Sequence, residues 1–348
     1  MEKERISIII PMHNSEAFIA GCIDSALAAE AYLCAESEKA GVPVEGEIIL
    51  ADDGSDDGSY RICRTYADMD PKIRLFRMQD LGVSAARNAA LRRATGDYVT
   101  FLDADDRMAP PLLWELFRLL KENEASVAGC GFAAGTDQEN WMQAFSGTDA
   151  AAYGTEVLNA DSYIRTGLLH ADTRVWSKLF RRSAIGKNTF KEGLTIGEDM
   201  LFLLDVMLQE GAGLVRTDAP YYFYWQNPKG AMARPYTPSY MDQIRCWEIA
   251  RKKIASARPA LLKEPETEGL LSLIDVVSAL LVSSKIARLP DKERKGAEED
   301  FQTARRKVKE GLLDRNARAV MPPEYRIKAE LLKRFPRIYE SLYQGRTK

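Results

Sequence analysis

The N-terminal part of the chain alternates between short apolar runs and segments of helical periodicity, and this alternation restricts the possible folds more than any other feature. Runs rich in β-branched residues predict strands, and apolar side chains three or four positions apart predict helices between them. The predicted strands cover residues 6–10, 47–50, 73–76 and 98–102, and a further apolar segment covers 126–132. Strands that alternate with helices pair in parallel. The sequence therefore predicts an α/β fold with a doubly wound, mostly parallel sheet and helices on both faces.

Polar residues follow three of these predicted strands. Pro11 ends the first strand, the segment Asp52–Ser59 follows the second, and the segment Asp103–Asp106 follows the fourth. In open α/β sheets ligands bind beyond the carboxyl ends of the strands. We therefore expect the three polar features to meet in one crevice.

Three carboxylates within four positions end the strand at residues 98–102. Side chains two apart on an extended chain point to the same face, so Asp103 and Asp105 are expected to share one. A hard divalent cation, with its shell completed by substrate phosphates, would account for them. A solvated loop, or a helix N-terminus matched by acids, is the alternative for this stretch taken alone.

Two more loops carry candidate binding residues. The segment Asp52–Ser59 fits the first half of a calcium loop, but Arg64 stands where that loop needs a glutamate, which excludes the comparison. As a loop after a strand it could accept hydrogen bonds from a base or ribose, the alternative being a polar turn and helix cap. Gly82 and Arg87 flank a helix start capped by Ser84, which suits a nucleotide phosphate but also an ordinary helix cap.

Two features of the middle region also have competing explanations. Glu198 and Asp199 follow Gly197 at a predicted helix start, where acids commonly complement the helix dipole, although one could act as a general base. The aromatic run Tyr221–Trp225 is more typical of core or an edge strand than of a sugar-binding surface. His13, near the end of the first strand, is expected to have a structural role, with its backbone near the ligand.

Composition excludes several classes of function. The net charge of −3 gives no support for nucleic-acid binding, and five scattered cysteines with two histidines argue against zinc sites and disulfide scaffolds. The N-terminus lacks a signal-peptide core, so a cytoplasmic protein is expected. The apolar segment 270–286 contains Asp275 and several serines, which predicts a packed helix and not a membrane span.

Strand patterns end near Tyr236. We expect a catalytic domain over residues 1–235 and a helical C-terminal extension over 236–348. From Lys285 onward the chain has 18 basic and 10 acidic side chains. This tail could contact an anionic membrane surface, although a solvated helical face packed on the catalytic domain is the favoured alternative.

Taken together, the motifs resemble an inverting family 2 glycosyltransferase of the GT-A fold. The order and spacing of the matching pieces extend over residues 5 to about 232. Each motif is unspecific alone, but the combination in this order is hard to obtain by chance. The matching pieces are Ile8-Ile-Ile-Pro11-Met-His-Asn14, Ile48-Ile-Leu-Ala-Asp52-Asp53-Gly54-Ser55, Gly82-x-Ser84-x-x-Arg87-Asn88, Gly96-Asp97-Tyr-Val-Thr-Phe-Leu-Asp103-Ala-Asp105, Trp176-x-Lys178-Leu179 and Gly197-Glu198-Asp199.

The resemblance implies a nucleotide-sugar donor, UDP-linked, and Mn²⁺ or Mg²⁺ bound by Asp105 and bridging the diphosphate. It implies that Asp53 binds the uracil, that Asp103 contacts the ribose, and that Asp199 is the base that activates the acceptor hydroxyl. Glu198 would orient the acceptor or the helix start, and Trp176 and Lys178 would contact the acceptor. The implied nucleotide-sugar-binding residues are Pro11, His13, Asn14, Asp52, Asp53, Gly82, Arg87, Asp103, Ala104 and Asp105.

The sequence departs from the family pattern in three places. His13 stands where the family usually has tyrosine, and the long segment Ala28–Gly46 is expected to extend the first helix. Near residues 225–234 the family often carries a basic residue that closes on the diphosphate, and both Lys229 and Arg234 are candidates.

The implied reaction is sugar transfer to a glycan or lipid-linked acceptor in polysaccharide or glycoconjugate assembly, in the cytoplasm or at the inner face of the membrane. A sugar-phosphate nucleotidyltransferase is a competing hypothesis. That class needs a glycine-rich, basic loop after the first strand, which Pro11–Glu16 does not provide. A nucleotide- or glycan-binding scaffold without catalysis is the other competitor, and the presence of Asp103, Asp105 and Asp199 argues against it.

Overall fold

The computed structural model describes residues 3–136, 140–145, 152–227, 230 and 234–344. The chain forms two compact units. The first consists of residues 1–163, 174–193 and 205–230, and the second of residues 164–173, 194–204 and 231–348. The two-domain division at residues 235 and 236 stays a prediction.

The described strands belong to the first unit and form two sheets. The larger sheet has eight strands in the order β3-β2-β1-β4-β9-β6-β10-β8, and the smaller has three in the order β5-β11-β7. The strands are β1 (Glu4–Met12), β2 (Val44–Asp52), β3 (Ile73–Arg77), β4 (Tyr98–Phe101), β5 (Arg107–Met108), β6 (Val127–Gly129), β7 (Phe132–Gly135), β8 (Thr155–Asn159), β9 (Lys178–Arg181), β10 (Gly213–Thr217) and β11 (Tyr222–Trp225).

The predicted α/β class with a mostly parallel sheet is confirmed. Strands β3, β2, β1 and β4 pair in parallel, and so do β6 and β10. Strand β9 enters the sheet antiparallel between β4 and β6. The runs Ile6–Ile10 and Ile48–Leu50 are fully buried, as expected for strands covered on both faces.

Helices connect these strands and make up the C-terminal region, which is helical as predicted. The first-unit helices α1, α2, α3 and α4 alternate with the strands, and the helices from α8 onward belong to the second unit. The helices are α1 (Ile19–Lys39), α2 (Ser59–Met69), α3 (Val83–Arg93), α4 (Leu112–Asn123), α5 (Ala160–Thr166), α6 (Arg182–Ile185), α7 (Glu198–Met207), α8 (Asp242–Ala257), α9 (Pro265–Ala287), α10 (Asp291–Gly296), α11 (Glu298–Leu313), α12 (Arg315–Val320), α13 (Pro323–Arg334) and α14 (Pro336–Gln344).

Helices α1 and α3 begin without a side-chain cap. At α1 the backbone carbonyl of Ser15 accepts from the N–H of Phe18 and of Ile19. Ser84 lies inside α3, and Gly82 occupies the N-cap position with φ +90°. The predicted extension of α1 is confirmed, because the helix runs for 21 residues.

Helix α9 is the central element of the second unit's core. Val276, Ala279, Val282 and Ile286 are fully buried in this core. Within the described residues α9 alone is long and apolar enough to span a membrane by length and composition. Of its most apolar stretch, 61% is buried inside the protein. That burial agrees with the packed helix predicted for residues 270–286.

Candidate active site

The carboxyl ends of β1 and β2 are joined by hydrogen bonds between their loops. Met12 is in register with Asp52, and the Asp53 N–H donates to the Met12 carbonyl at 2.8 Å. Nδ1 of His13 lies 2.9 Å from the Asp53 carbonyl oxygen. Asn14 adopts φ +50°, and its amide oxygen accepts from the Asp56 N–H at 2.9 Å. His13 and Asn14 therefore hold the two loops together, as the structural role expected for His13 requires.

The two aspartates at the carboxyl end of β2 both have partners within the protein. Asp52 is fully buried, accepts from the Ser55 N–H at 3.1 Å and lies 3.2 Å from the Arg77 guanidinium. The carboxylate of Asp53 accepts from the N–H groups of Leu81 and Gly82, at 2.9 and 2.7 Å. Asp53 thus ties the loop after β2 to the start of α3.

Helix α3 carries a buried cation to the acidic segment after β4. The Arg87 side chain is 4% exposed, and Nη2 donates to Asp103 Oδ1 at 2.8 Å. Its guanidinium also lies 5.3 Å from the ring centroid of Phe190. Arg87 is therefore a buried cation of the site and not a surface arginine.

The acidic segment itself is a turn and not an extended strand end. Strand β4 ends at Phe101, and the Asp106 N–H donates to the Asp103 carbonyl at 3.0 Å. The prediction that Asp103 and Asp105 share a strand face is therefore wrong, because β4 ends before Asp103 and the chain turns at Ala104 and Asp105. Their proximity comes from the turn, which we call the acidic turn (residues 103–106).

A buried network anchors the acidic turn to strand β11 of the smaller sheet. Asp106 is 1% exposed and accepts from the Tyr222 hydroxyl at 2.7 Å and from the Trp225 N–H at 2.9 Å. Just beyond β11, the Asn227 amide donates to Asp105 Oδ2 at 3.2 Å. The position of the acidic turn thus depends on a strand that is far away in sequence.

The acidic turn concentrates negative charge in a poorly solvated place. Burial, and then the charge of Asp103, raises the pKa of Asp105. Burial and the charges of Asp103 and Asp105 raise the pKa of Asp106 well above its usual range. A bound cation would stabilise the ionised carboxylates here.

No group of three or more histidine, cysteine, aspartate or glutamate side chains in the described residues is arranged to hold a metal ion by itself. Asp105 with Asp103 nevertheless fits Mg²⁺ or Mn²⁺. Such cations are commonly held by one or two carboxylates, with waters and substrate phosphates completing the shell.

The segment Trp176–Lys178 packs against the anchoring strand. The Trp176 ring stacks on Tyr222 and Tyr224, with centroids 4.6 and 5.5 Å apart, and is 7% exposed. Ser177 adopts φ +58°, and Lys178 is 2% exposed on β9. Both residues predicted to contact an acceptor are therefore mostly covered by protein.

The acids predicted for base catalysis begin α7. Glu198 and Asp199 are its first two residues, and Gly197 before them adopts φ +89°. A side chain at position 197 would collide with the sulfur of Cys246, so the turn into α7 requires glycine. Of the two basic candidates near residue 230, Arg234 is exposed and Lys229 lies outside the described residues.

A cavity of about 770 Å³ lies at the opposite edge of the large sheet. It lies at the amino ends of β1 and β4 and is lined by Arg5, Asp97 and Arg181 among others. Arg5 is hydrogen-bonded to Glu45, and Arg181 donates to two backbone carbonyls at the end of α4 and just beyond it. These cations are engaged within the protein, so the cavity is a weaker candidate than the acidic turn.

Sequence reasoning did not single out Asp106, Tyr222, Asn227 or Arg77 as members of the site. Asp106 was visible as the third acid of its cluster, and Tyr222 as part of an aromatic run. No local pattern distinguishes Asn227 or Arg77, because their partners are distant in sequence.

Comparison with known proteins gives one family. The family model described as glycosyl transferase family 2 matches residues 7–187. An uncharacterized glycosyltransferase of Bacillus subtilis, EpsJ, is 31% identical over 252 residues. That alignment covers 69% of this chain and 66% of the relative, so the chain spans just under two thirds of the relative's length.

Two solved structures share the fold. The crystal structure of Staphylococcus aureus TarS 1–349 in complex with UDP-GlcNAc has a TM-score of 0.65 at 19% identity, covering 98% of this chain and 89% of that chain. A mannosyltransferase of Pyrobaculum calidifontis in complex with GDP-Man and Mn²⁺ has a TM-score of 0.51 at 16% identity, covering 100% and 89%. These similarities establish the architecture.

Proposed function

The chain belongs to glycosyl transferase family 2, and on that premise we propose that it transfers a sugar from a nucleotide-sugar donor to a hydroxyl acceptor. The observation that carries the proposal is the acidic turn, which lies at the carboxyl end of the sheet and is linked through helix α3 to the loop after β2. Asp103 is fixed by Arg87, and Asp105 is held by Asn227. A pre-organised pair of carboxylates suits a metal-bound diphosphate.

The donor is proposed to be UDP-linked. The loop after β1 (Pro11, His13 and Asn14) would line the base pocket, and Asp53 would accept a hydrogen bond from uracil. Each Asp53 oxygen already accepts one backbone N–H, and a carboxylate oxygen has capacity for a further donor. A solved structure of this fold in complex with UDP-GlcNAc supports the proposal.

The diphosphate is proposed to bind at the acidic turn with Mn²⁺ or Mg²⁺ on Asp105. When bound, such a cation neutralises the charge that grows on the departing diphosphate. The structure of a related fold with GDP-Man and Mn²⁺ supports a divalent cation. Asp103 would contact the ribose, while Arg87 keeps its carboxylate in place.

Asp199 is proposed as the general base. It would take the proton of the acceptor hydroxyl while that oxygen attacks the anomeric carbon. The bond from the anomeric carbon to the diphosphate breaks on the opposite face, so the configuration inverts. Glu198, Trp176 and Lys178 would orient the acceptor, a glycan or lipid-linked molecule in polysaccharide or glycoconjugate assembly.

The enzyme is proposed to act in the cytoplasm. Cys22, Cys34, Cys63 and Cys246 form no disulfide, which suits a reducing compartment. Thiols in an oxidising compartment are commonly paired, whereas the buried Cys22 and Cys63 have no cysteine partner.

Calorimetric titration of UDP, GDP, dTDP and ADP, each with and without Mn²⁺, tests the donor and the cation together. UDP is expected to bind selectively and only with metal, and Asp105→Asn should abolish this binding. The matched control is Asp56→Asn, which removes an exposed carboxylate from the neighbouring loop and should bind as wild type. Selective binding of GDP would refute the UDP assignment, and equal binding without Mn²⁺ would refute the metal.

The base is tested separately by turnover. Asp199→Asn should lose sugar transfer while keeping metal-dependent nucleotide binding. Unchanged turnover would refute Asp199 as the base. Nucleotide binding by wild-type protein with no transfer to any glycan or lipid acceptor would favour the non-catalytic scaffold.

A further inference from the structure

The last two helices expose apolar side chains in an unusual concentration. Eleven large hydrophobic residues are exposed in the described part of the chain, and four of them lie within 16 positions of each other. Ile327 is 69% exposed on α13, Phe335 is 54% exposed between the helices, and Ile338 and Leu342 are 53% and 52% exposed on α14. Such clustering on a soluble protein commonly marks an interaction surface.

These side chains are held outward by the packing of the same helices. The opposite faces carry Ala329 and Leu332 on α13 and Tyr339 on α14, all buried in the second unit's core. Ile338 and Leu342 are one helical turn apart and so lie on one face of α14. The face cannot turn inward without removing these residues from the core.

Cations are interspersed in sequence with the exposed apolar side chains, and Arg326, Ile327 and Phe335 line one depression along α13. Between positions 323 and 342 the exposed residues include Arg326, Lys328, Arg334 and Arg337 against one exposed acid, Glu324. Arg326 and Arg337 form no ion pair with another described residue. We name the set formed by Arg326, Ile327, Phe335, Arg337, Ile338 and Leu342 the basic apolar surface.

The two half-buried acids of this region are already paired with cations. Glu330 lines a depression of about 530 Å³ along α13, and its carboxylate lies 2.8 Å from Arg334 Nε and 3.9 Å from Lys333 Nζ. Glu340 lies 3.7 Å from Arg294 Nε. The net charge of the surface is therefore positive.

We propose that the basic apolar surface docks the protein on a membrane that contains anionic phospholipids. Exposed isoleucine, leucine and phenylalanine side chains can enter the headgroup boundary, while arginines beside them contact lipid phosphates. A second copy of the chain fits less well, because a two-fold contact would bring the same cations of both copies together. The inference stands on this surface alone and does not depend on the proposed sugar transfer.

Vesicle flotation of the full chain tests the proposal. Vesicles of phosphatidylcholine with phosphatidylglycerol as the minor component are compared with vesicles of pure phosphatidylcholine. Binding is expected only to the anionic vesicles and should weaken as salt rises, because exposed charges are screened. Absence of binding, or equal binding to both compositions, would overturn the proposal.

Two double variants separate charge from apolar insertion. Each basic residue near an anionic surface contributes about fivefold to partitioning, so Arg326→Gln with Arg337→Gln should lower the partition coefficient roughly 25-fold. Ile338→Gln with Leu342→Gln should lower it on the order of tenfold.

The matched control is Arg61→Gln with Met69→Gln. Both residues are well exposed, at 79% and 80%, but lie on α2 of the first unit. The control should bind as wild type, and thermal unfolding should show that all variants fold. Wild-type binding by both surface variants would overturn the proposal. If the protein is retained on immobilised polyglutamate but does not bind vesicles, the membrane proposal is overturned in favour of an acidic protein partner.

Discussion

Removing a single hydroxyl from Tyr222 should loosen the acidic turn. The Tyr222 hydroxyl donates to the buried Asp106 carboxylate at 2.7 Å and lies 3.4 Å from the Asp103 amide nitrogen. Tyr222 is fully buried, so no water can replace its hydroxyl in Tyr222→Phe without entering the core. The buried carboxylate oxygen of Asp106 would lose its hydroxyl donor.

The expected cost follows from the kind of hydrogen bond lost. Leaving a buried acceptor without its donor costs about 1–3 kcal/mol, so a loss of about 2 kcal/mol is expected for Tyr222→Phe. For a domain of this size that corresponds to a fall in Tm of about 4 °C. The effect should be local as well, because the Trp225 N–H donates to the other oxygen of the same carboxylate.

Tyr221→Phe is the matched control. Tyr221 is 4% exposed, and its hydroxyl makes no hydrogen bond with another described residue. Thermal unfolding should place this control within about 0.5 kcal/mol of wild type. Hydrogen exchange of the Trp225 amide should be faster in Tyr222→Phe and unchanged in Tyr221→Phe. Equal stability of the two variants, with equal Trp225 exchange, would refute the argument that this hydroxyl anchors the turn.

Two further predictions concern the same unit's sheet and the start of α7. Burial alone would raise the pKa of Glu47, but its hydrogen bonds, above all from Thr95, outweigh burial and lower it. A carboxyl group whose pKa is lower in the folded state stabilises the fold at pH values above its unfolded-state pKa of about 4.3. This stabilisation is lost as the pH falls through the folded-state pKa. Urea unfolding should therefore show Glu47→Gln less stable than wild type by about 2 kcal/mol at pH 7, with the gap narrowing below about pH 4; a constant gap would contradict this. Gly197→Ala should be more destabilising than Gly193→Ala, because both glycines have positive φ but only position 197 meets the Cys246 sulfur; equal melting temperatures would remove the steric argument.

The elements predicted from sequence are those whose determinants are local. The run Ile6–Ile10 lies within β1, and Ile48–Leu50 lies within β2, because a β-branched run buried on both faces has few alternatives. The meeting of the loops after β1, β2 and β4 also followed from local signals, since parallel pairing brings carboxyl ends to one edge. Hydrogen bonds join the loops after β1 and β2 directly, whereas the acidic turn is linked to the loop after β2 through Arg87 and Gly82 of the α3 segment. The ligand roles stay predictions.

The features that could not be predicted depend on distant partners. Nothing near Asp106 indicates that Tyr222 will donate to it from 116 positions away. The antiparallel entry of β9 depends on pairing with β4 and β6, for which its four residues carry no signal of their own. The prediction that Ser84 caps α3 is wrong, because Gly82 takes the N-cap position at φ +90°. The sequence permits this backbone conformation but does not require it.

The anchoring of the acidic turn by β11 also determines how this chain can be recombined. The hydroxyl and the amide that donate to Asp106 lie on β11. In a chimera of two relatives joined near residue 150, Asp106 and these donors would come from different parents. A chimera that replaced residues 98–111 alone would bring in a turn without its tyrosine and its amide. Segments 98–111 and 221–227 therefore constitute one unit of exchange, and grafts between relatives should move both together.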